Sequence, residues 1–322
     1  MSLFPRSESF KWGFFLSNNG VKTFSTQKPK LLDQMRQVLR TKHYSKRTEE
    51  AYVHWIHRFI NYHNKRHPKN MGEKEIGEFL CHLAVTGNVA ASAQNQALCA
   101  VVFLYKHVLE KDVGQVENLV WAKCPQKLPE VFTPDEVNRV LSGLQGIYWL
   151  MGILMYGAGL RIIECLRLRG KDIDFNYKKI TVREGKGEKD RITMLPELSI
   201  APLKKHLEKV KELHDKDLRG GFGTVYMPYA LAKKFPNANK EWGWKYIFPA
   251  TRLSVDPRSA ILQRHHFDES AVQRAVKKAI QAAGIHKHAS CHTLRHSGVY
   301  PAFFAGPPIY LKQDMAFEPC KS

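Results

Sequence analysis

No uninterrupted apolar run in this sequence reaches the roughly eighteen residues a membrane-crossing helix needs. The most apolar stretch, residues 148–160, is short and broken by Gly152, Gly157 and Gly159. Residues 1–30 set Phe14 and Phe15 beside Arg6, Lys11 and Asn18, without the long apolar segment and small-residue cleavage site of a secretory signal. Cysteine is sparse: Cys81, Cys99, Cys124, Cys165, Cys291 and Cys320 are widely spaced, with no Cys-x-x-Cys pair. That excludes a disulfide framework and a zinc-ligand rhythm, and fits reduced thiols in a cytoplasmic protein. No metal or other cofactor is expected. No internal repeat recurs at a fixed period, which removes solenoids and propellers.

Acidic residues are the other shortage. Thirty Asp and Glu face fifty Lys and Arg, a formal charge of +20. A surplus of that size points to nucleic acid, an anionic membrane or an acidic protein as partner, nucleic acid foremost. Hydrophobic residues at 43% are ample for a core, and 322 residues suggest two domains.

Residues 31–110 read as four helices. Leu31, Leu32, Met35, Val38 and Leu39 mark the first; Tyr52, Trp55, Ile56, Phe59 and Ile60, behind an N-capping Ser45, mark the second. Ile76, Phe79, Leu80 and Leu83 mark a third, and Leu98, Val101, Val102, Tyr105, Val108 and Leu109 a fourth. Arg36, Arg40, Lys42, Lys46 and Arg47 make their polar side strongly basic, either as a solvated face or as a phosphate-contacting one. Residues 113–130 read as a linker. Thr133-Pro134-Asp135-Glu136 then opens a second domain with a capped helix start. A buried helix covers 148–155, and after Arg161 a helical pattern resumes through Leu166 and Leu168. Short strands at 179–183 and 191–194 flank a Gly-containing loop, and Pro196 starts a long charged helix reaching about residue 218. An irregular aromatic-rich stretch follows at 220–267, then a helix carrying Val272, Ala275, Val276, Ala279 and Ile280, stopped by Gly284.

Three features could carry chemistry. Arg161 follows a Gly-x-Gly turn at a helix start, where backbone amides and a guanidinium can converge on an anion. Lys186 sits between two glycines at a hairpin tip. His292 and Arg295, spaced i and i+3, share one helix face. Each alone is weak, since surface arginines and basic hairpin tips are common. Taken in order after a basic helical domain, with Tyr156-Gly157-Ala158-Gly159-Leu160-Arg161 and Glu164-Cys165-Leu166, Gly185-Lys186-Gly187-Glu188-Lys189-Asp190-Arg191 and His292-Thr293-Leu294-Arg295-His296-Ser297, they resemble the tyrosine recombinases of the phage integrase family.

The segments Pro228-Tyr229-Ala230-Leu231, Glu241-Trp242-Gly243-Trp244 and Tyr246-Ile247-Phe248-Pro249 resemble, more narrowly, the insert of integron integrases. The resemblance implies a mainly α fold with a small β-sheet. It implies a helical core-binding domain (31–112) joined to an α/β-type catalytic domain (131–322), with the insert at 220–267 and residues 1–30 as an extension. It also implies metal-free strand exchange at gene-cassette sites, presented as folded single strands or duplex, by a tetramer on bacterial DNA. A tyrosine there attacks the scissile phosphate, leaving a 3′-phosphotyrosyl bond and a free 5′-hydroxyl. Arg161 and Arg295 would grip the phosphate, Lys186 would protonate the leaving oxygen and His292 would assist.

The insert's rings lie among Lys233, Lys234, Lys240 and Lys245, so Trp242 and Trp244, with His265 and His266, are candidate base contacts. A small satellite core under a loop is the other reading of those rings. The resemblance ends at Ser297. Residues 298–322 hold Tyr300 and Tyr310 among prolines, with no Leu-Gly-His string and no helical period, as if read out of frame before an early stop. The nucleophilic tyrosine and the second His or Trp of the family are therefore expected to be absent. The chain would then bind DNA without cleaving it; alternatives are a DNA-binding remnant that interferes with an intact integrase, and a Xer-type recombinase.

Overall fold

Ser45 fixes the first corner of the chain: its hydroxyl accepts a hydrogen bond from the Thr48 amide at 3.1 Å, satisfying one of the free N–H groups at a helix start. The computed structural model describes residues 30–111, 121–123, 128–183, 190–227, 231–256 and 259–299, and the chain divides into two units, residues 1–126 and 127–322. In the first, α1 (Leu31–Thr41), α2 (Lys46–Tyr62), α3 (Glu73–Val85) and α4 (Ala91–His107) form a bundle. The apolar stripes read from the sequence turn inward, burying Met35, Leu39, Ile56, Phe59, Ile76, Phe79 and Leu104. Each such side chain contributes roughly 1.5–3 kcal/mol on leaving water. The Tyr105 hydroxyl donates to the Pro68 carbonyl at 3.0 Å inside this core, so the one polar atom of a buried ring is satisfied. Part of the expected linker is tied to the bundle: Asn95 and Ala122 exchange two hydrogen bonds of 3.0 and 2.9 Å.

The second unit is also mainly helical. Thr133 caps α5 (Pro134–Ser142), accepting from the Glu136 amide while Glu136 accepts from the Thr133 amide. The apolar α6 (Gly146–Gly157) runs through the core, which explains why its sequence lacks a polar face. Next comes α7 (Ile162–Leu166), shorter than its sequence pattern predicts. Leu168 is buried outside it because its carbonyl accepts from Ile247 and Arg169 bridges to Tyr246. An antiparallel sheet follows in the order β1 (Ile173–Asp174), β2 (Lys179–Val182), β3 (Arg191–Met194), with Val182 opposite Arg191; β1 carried no signal in the sequence. The long α8 (Glu197–Arg219) leads into the insert, whose described residues hold a short α9 (Leu231–Lys234), two 3-10 turns at Ala238–Lys240 and Trp242–Trp244, and the hairpin β4 (Ser254–Val255) and β5 (Leu262–Gln263). Asp268 caps α10 (Glu269–Ala282), which ends at Gly284 with φ +68°.

The last described element, α11 (Cys291–Val299), packs most extensively on α6. Ser297 joins the two ends of this unit: its hydroxyl donates to the Thr293 carbonyl at 2.7 Å and accepts from the Phe132 amide at 2.8 Å. Gly298 lies so close to the Tyr156 carbonyl that a Cβ there would overlap it. The fit of the helix to its surroundings therefore extends one residue past Ser297. Among the described residues no helix is long and apolar enough to cross a membrane.

Candidate anion-binding site

The turn between α6 and α7 sets up the site. Gly159 at φ +62° reverses the chain at a conformation that disfavours a side chain. Arg161 then becomes the N-cap of α7, and its amide donates to Glu164 Oε2 at 2.8 Å. The Arg161 Nη1 also donates to Glu164 Oε1, at 2.6 Å. From the start of β3, Arg191 reaches the same carboxylate with two parallel bonds, Nη1 to Oε1 at 2.9 Å and Nη2 to Oε2 at 2.6 Å. From α11, Arg295 Nη1 approaches Oε2 at 3.4 Å. Three guanidiniums thus meet one carboxylate, leaving a surplus of two positive charges.

Electrostatics follow from this packing. The Glu164 side chain is only 5% exposed, whereas those of Arg161, Arg191 and Arg295 are 29%, 33% and 18% exposed. Burial alone would raise the Glu164 carboxyl, but hydrogen bonds from Arg191 and Arg161 outweigh it and hold the group down at about 2. Burial, with Arg161 close by, lowers Arg295. His292 lies one turn before Arg295 on α11 and packs edge-on against His296, ring centroids 5.6 Å apart. Burial, then His296, Arg295 and Arg161, depress its pKa, so its imidazole is neutral at pH 7 and can donate or accept a hydrogen bond. A phosphate diester suits such a place, because planar guanidiniums match pairs of its oxygens and a partly dry surround strengthens the attraction.

Of the residues the sequence singled out, Arg161, His292 and Arg295 come together here. Lys186 lies outside the described residues. Glu164 and Arg191 stand in the motifs that carry the family resemblance, but neither received a role from the sequence. The pairing of Glu164 with Arg161 had a local signal, three residues apart as in a capping box, while that with Arg191 had none, since only strand pairing brings Arg191 to the carboxylate. Among the described residues no cluster of His, Cys, Asp or Glu could hold a metal ion.

The insert's rings are largely engaged with their own chain. Trp244 carries the Lys171 ammonium 2.8 Å from its ring centre and the Arg169 guanidinium at 5.5 Å. Arg169 also lies 4.8 Å over buried Tyr246 and donates to the Trp244 carbonyl at 2.8 Å. Burial, together with neighbouring Arg183, takes Lys171 down to about 8. Trp242 tilts against His214 at 6.1 Å, and both tryptophans are half-buried. His265 buries an Nε2 that has no hydrogen-bond partner, and half-buried His266 bonds the Phe267 carbonyl through Nδ1 at 2.9 Å. Tyr226 and Phe235, by contrast, are exposed. In the helical unit Arg36 pairs with Asp33 at 2.8 Å, Arg40 forks onto Glu49 at 2.8 and 3.0 Å, and Lys46 approaches Glu50 at 3.7 Å. Lys42 and Arg47 are exposed at the same corner.

Residues 31–115 match the phage integrase N-terminal SAM-like domain, and residues 130–300 match the phage integrase family. Two curated proteins called integrase/recombinase, from Escherichia coli and Pseudomonas aeruginosa, are each 44% identical over 287 residues, covering 89% of this chain and 85% of theirs. A lambda integrase dimer bound to a COC' core site superposes with a TM-score of 0.55 at 16% identity, over 85% of this chain and 89% of that one. A lambda integrase tetramer bound to a Holliday junction gives 0.56 at 15%, over 85% and 70%. The shared fold is mostly helical with small antiparallel sheets.

Proposed function

The chain belongs to the phage integrase family, the site-specific recombinases of DNA, and on that premise we propose that it is an integron-type member. On this reading it recognises gene-cassette sites as folded single strands or duplex. The observation that carries its DNA-phosphate part is the convergence of Arg161, Arg191 and Arg295 on buried Glu164 with two positive charges in surplus. A diester carries one negative charge and gains a second as a nucleophile adds, so this surplus favours the state in which charge develops. Arg161 and Arg295 grip the phosphate, Lys186 protonates the leaving 5′-oxygen and neutral His292 hydrogen-bonds a phosphate oxygen.

Residues 31–112 are the core-binding domain, 113–130 the linker and 131–322 the catalytic domain. Arg36, Arg40, Lys42, Lys46 and Arg47 contact the DNA backbone, and the 220–267 insert supports the integron assignment. Trp242, Trp244, His265 and His266 belong to its base-holding region, where exposed Tyr226 and Phe235 offer the freer rings. Assembly on bacterial DNA is as a tetramer, as in the lambda integrase tetramer on a Holliday junction.

We further propose that the chain as it stands binds without cleaving. Tyr300 follows Arg295 by only five residues and Tyr310 follows Pro307 and Pro308, so neither stands in a motif that resembles the family's nucleophile segment. Gel-shift titrations with cassette-site hairpins and matched duplexes test the reading, together with a nicked suicide substrate. The expected outcome is preference for the hairpin, affinity that falls steeply with salt, and no covalent protein–DNA adduct. A preference for the duplex would replace the integron assignment with a Xer-type one. An adduct mapped to Tyr300 or Tyr310 would overturn the loss of cleavage.

A further inference from the structure

Arg191 stands apart from the other two arginines of the site. It takes both oxygens of Glu164 in a parallel fork, while Arg161 takes one with its side chain and Arg295 only approaches one at 3.4 Å. It comes from a different element, the first residue of β3, whereas Arg161 and Arg295 lie at α7 and on α11. Its fork uses one N–H from each terminal nitrogen against the one buried acid of the site. A carboxylate engaged in that way is neutralised locally, and its pull on the remaining cations is weakened.

We propose that Arg191 is a positioning and charge-balancing residue: it cancels the charge of Glu164, so that Arg161, though hydrogen-bonded to that acid, and Arg295 keep a surplus of two charges for a DNA phosphate. The inference rests on the phosphate-site reading above. Without Arg191, Glu164 would face Arg161 from its own turn, Arg295 and His292 from α11, and its neighbour Cys165. The surplus would drop from two charges to one, and both remaining guanidiniums would be drawn inward toward the carboxylate.

Charge balance and simple packing give opposite results when a second substitution is added. Arg191→Gln removes the counter-charge, and full-length protein should bind the cassette-site hairpin about tenfold or more weakly at low salt. Glu164→Gln combined with Arg191→Gln restores the two-charge surplus, and affinity should return to within about threefold of wild type. Arg191→Lys keeps the charge but not the fork, and should fall between the two.

A pH series gives an independent readout, because DNA phosphates do not titrate between pH 4.5 and 7.5. In Arg191→Gln the Glu164 carboxyl loses the two-bond fork from Arg191 and moves up, so acidification protonates it and should recover affinity. His292 titrates in both proteins, so the excess recovery over wild type is the measure.

Equal weakening in the single and double variants, with native melting curves, would show that Arg191 acts by packing and overturn the proposal. Wild-type affinity in Arg191→Gln would overturn it too. If Arg191→Gln does not fold, the double variant decides: wild-type-like affinity supports charge balance, and weak binding by a folded protein refutes it. Arg161→Ala separates this from the broader reading, since unchanged affinity there would mean that no phosphate sits at the site at all.

Discussion

Two buried glutamates, one in each unit, show how differently arginine can be used in a single chain. In the helical unit Glu49, 9% exposed at its side chain, takes a two-bond fork from Arg40, which is itself 59% exposed. Among the described residues of the other unit, Glu164 is shared by three arginines that are 18–33% exposed. The first arrangement pairs the acid with a cation that stays wet. The second concentrates an excess of positive charge where water is partly excluded, which makes an anion site. Basic residues are denser in sequence around Arg36 to Arg47 than around Arg161, so density along the chain does not locate the concentrated field.

The comparison is broken most forcefully at its centre. Glu164→Ala leaves three half-buried guanidiniums facing one another without their acid and should cost about 3 kcal/mol or more of stability in denaturant unfolding. A cost near zero would mean that solvent already screens the three charges. Next comes the geometry that delivers Arg295. Gly298→Ala forces a methyl group into the Tyr156 carbonyl, so α11 must shift, at a cost of about 1–3 kcal/mol in thermal unfolding and with weaker hairpin binding. The smallest effect is expected in the helical unit. Glu49→Ala frees an already hydrated arginine and should cost about 1 kcal/mol or less. A loss as large as that of Glu164→Ala would erase the distinction between the two acids.

Much of the fold was legible in the sequence because its signals are local. Ser45, Thr133-Pro134 and Gly284 act within one helical turn, and the structure places helix boundaries at each of them. The strands around 179–183 and 191–194 were legible for the same reason. The candidate site was legible only in part. Arg161, His292 and Arg295 stood in recognisable settings, but Arg191 meets Glu164 only because β3 pairs with β2 in one register. The short α7 was missed because a bridge between Arg169 and Tyr246, far apart in sequence, draws the chain out of helix. The rings of the insert had two readings in the sequence. The flanking of Trp244 by Lys171 and Arg169 favours packing for that ring, while Tyr226 and Phe235 stay open.

Composition and local pattern set the sign of the protein's charge, the positions of its long helices and the motifs that mark its family. Those depend on composition and on interactions spanning about four residues, which any copy of the chain must obey. Only the tertiary structure decided which cations share an acid and which stand alone. Arg191 reaches Glu164 across 27 residues and Arg295 across 131, and no periodicity encodes such meetings. They follow from the packing of α7, β3 and α11 in one unit, and that packing gathers scattered positive charge around one buried acid.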